Sequence, residues 1–179
     1  SVSRGLAAAR DARAAARVSA SACNAISNAN ASAVYIGLTR NARRLELFAS
    51  VGLSDVRANS HVPREGSISG RVYLSGKAEF LPDLQAAKGV FNKKLVDVDG
   101  FRSAVVLPVR AENRILGTLN VFFKNPIAQP DDVIRYLIEL ADFAGLTVAR
   151  HLSTQYSRRL EMRIGQTGHN LKKPLQQIA

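Results

Sequence analysis

The side chains in this sequence that are best suited to nucleophilic or metal chemistry are three histidines and one cysteine. They are His61, His151, His169 and Cys23. A histidine ring titrates near neutral pH, so an exposed histidine is partly a neutral nucleophile that can take up a phosphoryl group. Metal sites need clustered ligands, and these residues are far apart in the sequence. We therefore expect no metal site.

The single cysteine limits the redox chemistry of the chain. It cannot form an internal disulfide framework, a multi-cysteine zinc site or a pair of thiols. Secreted domains of this size often carry several cysteines, so we expect an intracellular, cytoplasmic protein. The longest apolar stretches fall short of the roughly 20 residues of a membrane helix, so we expect no membrane span.

The net charge of +11 would suit a nucleic-acid ligand, but its distribution argues against one. No more than two basic residues are ever adjacent, and residues 61–100 are nearly balanced in charge. Residues 150–179 carry six basic side chains and one acidic side chain. We interpret this segment as a solvated basic helix and expect no nucleic-acid partner.

The N-terminal segment predicts a helix over residues 1–27, because its alanine-rich run favours helix and Ser3 is a suitable N-cap. Its apolar stripe is thin and made of small side chains, so we expect a dimerisation helix that packs closely against another helix. An alternative is a transit peptide, since the segment is rich in Arg, Ser and Ala and poor in acidic residues. Because the chain begins with Ser1 rather than Met, we expect a piece of a longer protein.

The middle of the chain predicts two β-hairpins with a short helix between them. The helix is expected at residues 68–76, and a long polar loop follows at residues 84–100, where such loops are often functional. Pro108 inside a strand suggests an edge or a bulge. The strands are expected at residues 33–38, 45–51, 78–81, 103–110 and 115–123.

A long C-terminal helix begins at Pro130, with acidic residues in its first turn. Its apolar residues then repeat at steps of three and four, which is an a/d seam. We expect this helix to leave the domain and to pair with its copy in a parallel homodimer. The fold class is therefore α+β, an antiparallel sheet flanked by N- and C-terminal helices. The seam residues are Ile134, Leu137, Ala141, Ala144 and Val148.

Three segments resemble, in order, those of the GAF domain, the small-molecule sensing module of many signalling proteins. They are residues 62–76, followed by the strand that ends in Leu81-Pro-Asp83, and then residues 100–109 and 114–121. The Ser-x-x-x-x-Pro and Leu-Gly-x-Leu strands of the family occur as they stand, while Ser67 replaces the first glycine of its Gly-x-x-Gly segment. The resemblance implies a GAF-like sensor domain over residues 28–150, with a ligand pocket over the sheet.

The resemblance places that pocket under the 84–100 loop. Some of its candidate lining residues could instead simply fill the core, which would leave a purely structural dimerisation domain. The sensed ligand is not identified by the resemblance. The candidate ligand-binding residues are Tyr35, Phe48, Phe80, Phe101 and Arg102.

Cofactors known from the family find little support in these residues. His61 is a candidate haem ligand, although a lone loop histidine is more often polar surface. Cys23 precedes the domain, so we expect no covalent tetrapyrrole, and one cysteine is too few for the family's methionine-sulfoxide reductases. Asn92-Lys93 and Phe101 match part of the cyclic-nucleotide pattern, but its Asp-Glu does not follow. We expect no cofactor in this segment.

Residues 168–178, Gly-His-Asn-Leu-Lys-Lys-Pro-Leu-Gln-Gln-Ile, are similar to the phosphoacceptor box of sensor histidine kinases, His-Glu/Asp-Leu-Arg-x-Pro-Leu-x-x-Ile. The resemblance implies that His169 is the phosphoacceptor and that residues 151–179 are a signalling helix and the start of the phosphoacceptor helix. It also implies ATP as the cofactor of a parent kinase and a response-regulator receiver domain as partner.

The chain departs from this box at two positions. Asn170 stands where the family has the Glu or Asp that orients the ring and takes its other proton, and an amide is a poor base. Lys173 stands where the family often has the Thr or Asn that positions water, which puts phosphatase activity in doubt. Pro174 is expected to kink the helix just past the histidine.

These patterns predict a cytoplasmic signal-input domain of a two-component sensor histidine kinase, itself non-catalytic, that regulates autophosphorylation at His169. The alternative is a small-molecule binding or dimerisation module of a signalling protein without phosphotransfer. A free-standing enzyme of this fold is a third hypothesis, but the scattered histidines and the lack of a Gly-rich phosphate loop do not support it.

Overall fold

A computed structural model of the chain describes the backbone of residues 2–57, 59–90, 92–128 and 130–175, and the side chains of residues 10–57, 59–90, 92–128 and 130–153. Four helices and six strands occur in this part. The helices are α1 (Val2–Ser27), α2 (Ile68–Ser75), α3 (Lys94–Asp97) and α4 (Pro130–Leu175). The strands are β1 (Ala31–Ile36), β2 (Arg44–Val51), β3 (His61–Pro63), β4 (Glu79–Leu81), β5 (Ser103–Ala111) and β6 (Arg114–Phe123).

The strands of the described residues form one antiparallel six-stranded sheet in the order β3-β2-β1-β6-β5-β4. The two predicted hairpins are confirmed as β1–β2 and β5–β6. They meet at the centre, where β1 pairs with β6 from Ala31–Phe122 to Ile36–Gly117. The predicted α+β fold class with flanking helices is confirmed.

Pro108 lies on β5, which is an interior strand of the sheet, and the predicted edge or bulge concerns the position of Pro108 alone. Strand β4 pairs only with Ala104 to Val106, however, so β5 has no paired strand on that side at Pro108. The register shift of the β5–β6 pair lies directly after it, between Val109 and Arg110. A residue without an N–H is tolerated there because no β4 carbonyl needs its hydrogen bond.

One face of the sheet is covered by α1 and α4. The seam of α4 is buried against α1 and the sheet, including Ala16 and Ala20 of α1 and Val109 of β5. The expectation that this seam lacks a partner within the chain is therefore wrong. The small side chains of α1 let it pack closely against α4 of the same molecule, which the spacing of the seam alone could not show.

Helix α4 approaches the sheet most closely at Gly145. A Cβ atom on this residue would overlap the carbonyl oxygen of Arg110 of β5, at the point where the register of the β5–β6 pair shifts. Only glycine permits this approach, because any side chain would push α4 away from the strand. Gly145 thus fixes the distance between the C-terminal helix and the sheet.

The other face is covered by α2, α3 and the loops around them. The predicted helix α2 is confirmed, and Ser67, which replaces the family's glycine, is its N-cap: its Oγ accepts a hydrogen bond from Gly70 N at 2.9 Å. The helix ends at Gly76, whose φ of 68° is the left-handed conformation of a C-cap. The expected loop over residues 84–100 contains the short helix α3.

Helix α4 is 46 residues long, which corresponds to about 69 Å at 1.5 Å per residue. Leu152 is the last of its described side chains that packs against the sheet cluster, and the helix continues to Leu175. The prediction of a C-terminal helix that extends out of the domain is confirmed. None of the helices in the described ranges has the length and apolarity of a membrane span.

Candidate functional site

A small cavity of about 40 Å³ lies between the sheet and α2, on the face opposite α1 and α4. Its floor is formed by side chains of β1, β5 and β6 that alternate with the side chains buried under the long helices. That volume holds about three water molecules, at 10–15 Å³ of probe volume for each. Its floor and roof residues are Tyr35, Ala104, Val106, Asn120, Phe122, Ile68 and Ser69.

Asn120 is the polar residue at the centre of this floor. It is 6% exposed, and its Nδ2 donates a hydrogen bond of 2.8 Å to Ser69 Oγ of α2. Its Oδ1 is buried and accepts no hydrogen bond from any described residue, and the same holds for Oγ1 of Thr118 on the same face of β6. A buried acceptor without a partner costs about 1–3 kcal/mol, so the floor offers unused hydrogen-bonding capacity.

A second group of polar residues closes the cavity on the side of β1. The hydroxyl of Tyr35 donates to the carbonyl of Asn59 at 3.1 Å, and Asn92 Nδ2 donates to Asn59 Oδ1 at 3.0 Å. Asn92 Oδ1 in turn accepts from the backbone N–H of Lys94, which begins α3. Burial raises the pKa of Tyr35, so its phenol stays neutral. These bonds join the loop after β2 to α3 over the cavity.

The electrostatic character of the cavity follows from its lining. No Lys, Arg, Asp, Glu or His is among the described residues that line it. Arg71 of α2 is held outside by Glu79 at 2.8 Å, and Lys94 of α3 lies 3.5 Å from Asp55. The site is thus apolar, with neutral hydrogen-bonding groups at two positions.

Two of the five predicted ligand-binding residues lie on the cavity face of the sheet. Tyr35 lines the cavity itself. Phe101 is buried on the same face and stacks on Phe122, with ring centroids 5.3 Å apart, but it is not in the lining. Phe101 therefore supports Phe122 of the cavity floor and does not line the cavity itself.

The other three predicted residues lie elsewhere. Phe48 is on the opposite face, under Arg13 of α1, whose guanidinium carbon lies 4.6 Å from the ring centroid. Phe80 packs against the same cluster under the long helices, because it pairs with Val105, which faces that side. The side chain of Arg102 is exposed. An aromatic residue type does not tell which face of a sheet it occupies. Strand β4 has only three residues, and the register of β2 against β1 shifts at Phe48.

Sequence reasoning missed Asn120, Ser69 and Asn59. A signal for Asn120 was present, because β6 is apolar on both faces and Asn120 interrupts it in the middle. A polar side chain in a strand that is buried on both faces needs a partner, and that partner marks a packing contact or a site.

The histidines and the cysteine do not meet at the cavity. His61 is half-buried at the start of β3, with its Nδ1 3.3 Å from Ser60 Oγ, and His151 is half-buried on α4. Cys23 is buried between α1 and the sheet, and burial raises the pKa of its thiol to about 12. The described residues contain no cluster of three potential metal ligands.

The predicted phosphoacceptor residues lie near the end of α4, whose backbone is helical to Leu175. The side chains of His169, Asn170, Lys173 and Pro174 lie outside the described residues. Their roles stay predictions.

Comparison with known proteins shows which family the sequence matches and which solved structures share its fold. The family model described as GAF domain matches residues 12–149. Comparison with curated protein sequences found no match. Among solved structures, the chain is similar to the type II free methionine-R-sulfoxide reductase from Thermoplasma acidophilum, with a TM-score of 0.67 and 14% identity over 80% of this chain and 96% of that one.

Two further solved structures are similar to the chain. The GAF-B domain of DevS from Mycobacterium smegmatis has a TM-score of 0.64 and 20% identity, over 82% of this chain and 99% of that one. The domain of a putative two-component sensor histidine kinase protein from Sinorhizobium meliloti 1021 has a TM-score of 0.60 and 20% identity, over 79% of this chain and 92% of that one. At these identities the likeness shows the shared fold, which occurs both in a reductase and in a domain of a sensor histidine kinase.

Proposed function

The chain belongs to the GAF domain family, and on that premise we propose that it is the cytoplasmic signal-input domain of a two-component sensor histidine kinase that controls autophosphorylation at His169. The observation that supports this most is the continuity of α4. One helix packs against the sheet that carries the cavity and continues to Leu175, within the segment similar to a phosphoacceptor box. The resemblance of residues 168–178 to that box supplies the kinase context.

Strand β5 offers a direct physical route from the cavity to that helix. Val106 lines the cavity, while its neighbours Val105 and Leu107 belong to the cluster under α1 and α4. A ligand that shifts β5 by a fraction of an ångström would therefore also displace α4. The two elements have no free space between them at Gly145 of α4 and the Arg110 carbonyl oxygen of β5. Such a shift would reach His169 as a rotation or a change in the pairing of α4.

The proposed chemistry at His169 is phosphoryl transfer. A neutral ring nitrogen attacks the terminal phosphorus of ATP held by a separate domain, the new N–P bond forms, and the bond to the ADP oxygen breaks. Lys172 and Lys173 would flank the phosphoryl group and offset its charge. Asn170 can hold the ring by a hydrogen bond but cannot take its proton, so we expect the transfer to be slow.

The proposed assembly is a parallel homodimer through a face of α4 other than the seam that is buried against α1 and the sheet. Tyr136, Phe143 and Leu146 of α4 are 59%, 58% and 60% exposed. Ile164 lies four heptads after Tyr136, and Leu160 lies two heptads after Leu146. The same two heptad positions hold Glu139, Arg150, Ser153 and Ser157 in between, so the apolar parts of a coiled-coil seam with a second copy are limited to Tyr136, Phe143 and Leu146 beside the domain and to Leu160 and Ile164 further along. Val18 and Ile26 add exposed apolar surface on α1.

The test of the proposed function is phosphorylation in the native full-length chain with radiolabelled ATP. We expect acid-labile phosphate that disappears in His169→Ala and persists in His151→Ala. Its transfer to a purified receiver domain would establish the receiver as partner. Phosphate that survives in His169→Ala would end the kinase interpretation of this segment.

A second candidate function is a ligand-binding or dimerisation module without phosphotransfer, which the residues at Asn170 and Lys173 favour. If the native chain takes up no phosphate and Asn170→Glu restores it, this second function is the better one. The reductase activity of the Thermoplasma relative finds no support here. The one cysteine, Cys23, is buried on the face of the sheet opposite the cavity.

A further inference from the structure

We propose that the cavity under α2 takes an uncharged ligand with an amide-like edge, which donates a hydrogen bond to Asn120 Oδ1 and accepts one from Ser69 Oγ. The inference deepens the proposed input role and depends on the cavity being the ligand site of that role. It does not depend on the phosphotransfer at His169.

The first argument is the charge of the cavity. An anionic ligand would bury its charge among side chains such as Val106, Leu84 and Phe122, with no described cation in the lining. Arg71, on the neighbouring α2, donates to both carboxylate oxygens of Glu79 and to the carbonyl of Lys88. Burying a charge without a partner is strongly unfavourable, so phosphates and carboxylates are excluded in favour of neutral ligands.

The second argument is the unused hydrogen-bonding capacity of Asn120 and Ser69. Asn120 Oδ1 is a buried acceptor with no donor among the described residues. Ser69 Oγ accepts from Asn120 Nδ2 at 2.8 Å, and its hydroxyl donates to none of the described residues. A serine hydroxyl can donate one hydrogen bond while it accepts another.

These two groups therefore present an acceptor and a donor side by side. An amide, a urea or a lactam carries the complementary pair, an N–H beside a C=O. A ligand with only acceptors would leave Asn120 Oδ1 without a donor, and a ligand with only donors would leave the hydroxyl proton of Ser69 without an acceptor.

The third argument is size. A cavity of about 40 Å³ has room for about three waters, and hence for a fragment of about four non-hydrogen atoms. Acetamide has this size and places its methyl group against apolar wall residues such as Leu81 and Val90. A larger ligand of the same class needs the 84–100 loop to move outward.

The experiment is a titration of the isotope-labelled chain followed by nuclear magnetic resonance, with acetamide and acetate as probes. The two probes have nearly the same shape and differ in charge. We expect acetamide to shift the side-chain amide signals of Asn120 and the backbone signals of Ser69 and Val106 in a saturable way. Acetate at the same concentration should leave these signals in place.

Two variants and one control make the result specific. Asn120→Leu removes the acceptor at similar volume, and Ser69→Ala removes the donor; each should weaken acetamide binding at least tenfold. Ser75→Ala, which changes an exposed serine of the same helix, should bind acetamide as the native chain does. If Asn120→Leu does not fold, the affinity of Ser69→Ala decides the matter.

Three outcomes would overturn the inference. They are equal binding of acetate, acetamide affinity that Ser69→Ala leaves unchanged, and no saturable shift at all, which would mean that ordered water alone fills the cavity. None of these outcomes bears on whether His169 accepts phosphate, so the two proposals fail separately.

Discussion

Asn120 of the central strand β6 and Ser69 of the short helix α2 are joined by a buried hydrogen bond of 2.8 Å. The bond crosses the cavity side of the sheet and holds α2 in place over the floor. A group that enters the cavity must share or replace this bond, so occupancy and the position of α2 are coupled at one contact.

Loss of the Ser69 hydroxyl should destabilise the domain. In Ser69→Ala the Nδ2 of Asn120 stays buried without an acceptor, which should lower the free energy of unfolding by about 1–3 kcal/mol. Urea denaturation followed by circular dichroism measures this change. Ser75→Ala, exposed on the same helix, should change it by less than about 0.5 kcal/mol; equal losses would mean that the buried bond adds nothing.

Gly145→Ala should destabilise the domain although alanine is the better helix former. In an unconstrained helix this change stabilises by about 0.5–1 kcal/mol. Here the new Cβ would overlap the Arg110 carbonyl oxygen, and we expect a loss of about 1–3 kcal/mol from the forced separation of α4 and β5. The same denaturation experiment checks the sign.

The matched control for Gly145→Ala is Asp142→Ala, at an exposed position of the same helix. It should leave stability unchanged or raise it slightly. Stabilisation by Gly145→Ala would show that α4 does not lie against the Arg110 carbonyl oxygen of β5.

Cys23 should be almost unreactive in the folded chain. Burial raises the pKa of its thiol from 9.0 to about 12, so at pH 8 the reactive thiolate is about a thousandfold less abundant than in the unfolded chain. Alkylation by iodoacetamide, followed by mass spectrometry, should be slower by at least that factor. The denatured chain is the control, and the single cysteine makes the labelled site unambiguous.

The same shift gives a pH dependence of stability. Because the folded state holds the Cys23 proton more tightly, its contribution to stability is complete below about pH 9 and is lost as the pH rises from about 9 towards 12. The rate of alkylation in the folded state should rise over that range. Fast alkylation at pH 8 would contradict the burial of Cys23.

Charged substitutions on the exposed face of α4 should abolish the proposed homodimer. Light scattering at micromolar concentration should give twice the 19.3 kDa of the chain, and Phe143→Glu and Leu146→Glu should each give the monomer mass, because a buried glutamate at the seam has no partner. Val98→Glu, at another exposed apolar residue away from α4, should remain a dimer. A monomeric native chain would rule out this assembly at that concentration.

Local signals in the sequence predicted much of the fold. The hairpins follow from runs of β-branched and aromatic residues, and α2 follows from the turn at Pro63 and the glycine at its end. Strand β3 has three residues and α3 has four, too few to display a period. The burial of the seam on α4 depends on α1 folding back onto it, which is a tertiary contact that no periodicity within one helix encodes.

The candidate site was less predictable. Phe48 and Phe80 were predicted as ligand-binding residues because they are aromatic, but their side chains face the long helices. The polar groups at the centre of the cavity belong to Asn120 and Ser69. Both faces of β5 and β6 are buried, so alternation of apolar and polar residues does not distinguish the cavity side from the helix side. The bulge between Val34 and Tyr35 further changes which residues of β2 face each side.

The unbroken course of α4 also sets the phase of its distant end. Ala141 and Val148, buried against the domain, occupy one position of the seven-residue repeat, and His169 falls at that same position three repeats after Val148. Tyr136 and Phe143 occupy another position of the repeat, which follows the position of Ala141, Val148 and His169 by two residues. In a supercoil that keeps the seven-residue period, a dimer joined through Tyr136 and Phe143 would carry residue 169 on the outer circumference of the paired helices. Each protomer would then offer its acceptor position to a catalytic domain approaching from the side, with no need to part the two helices.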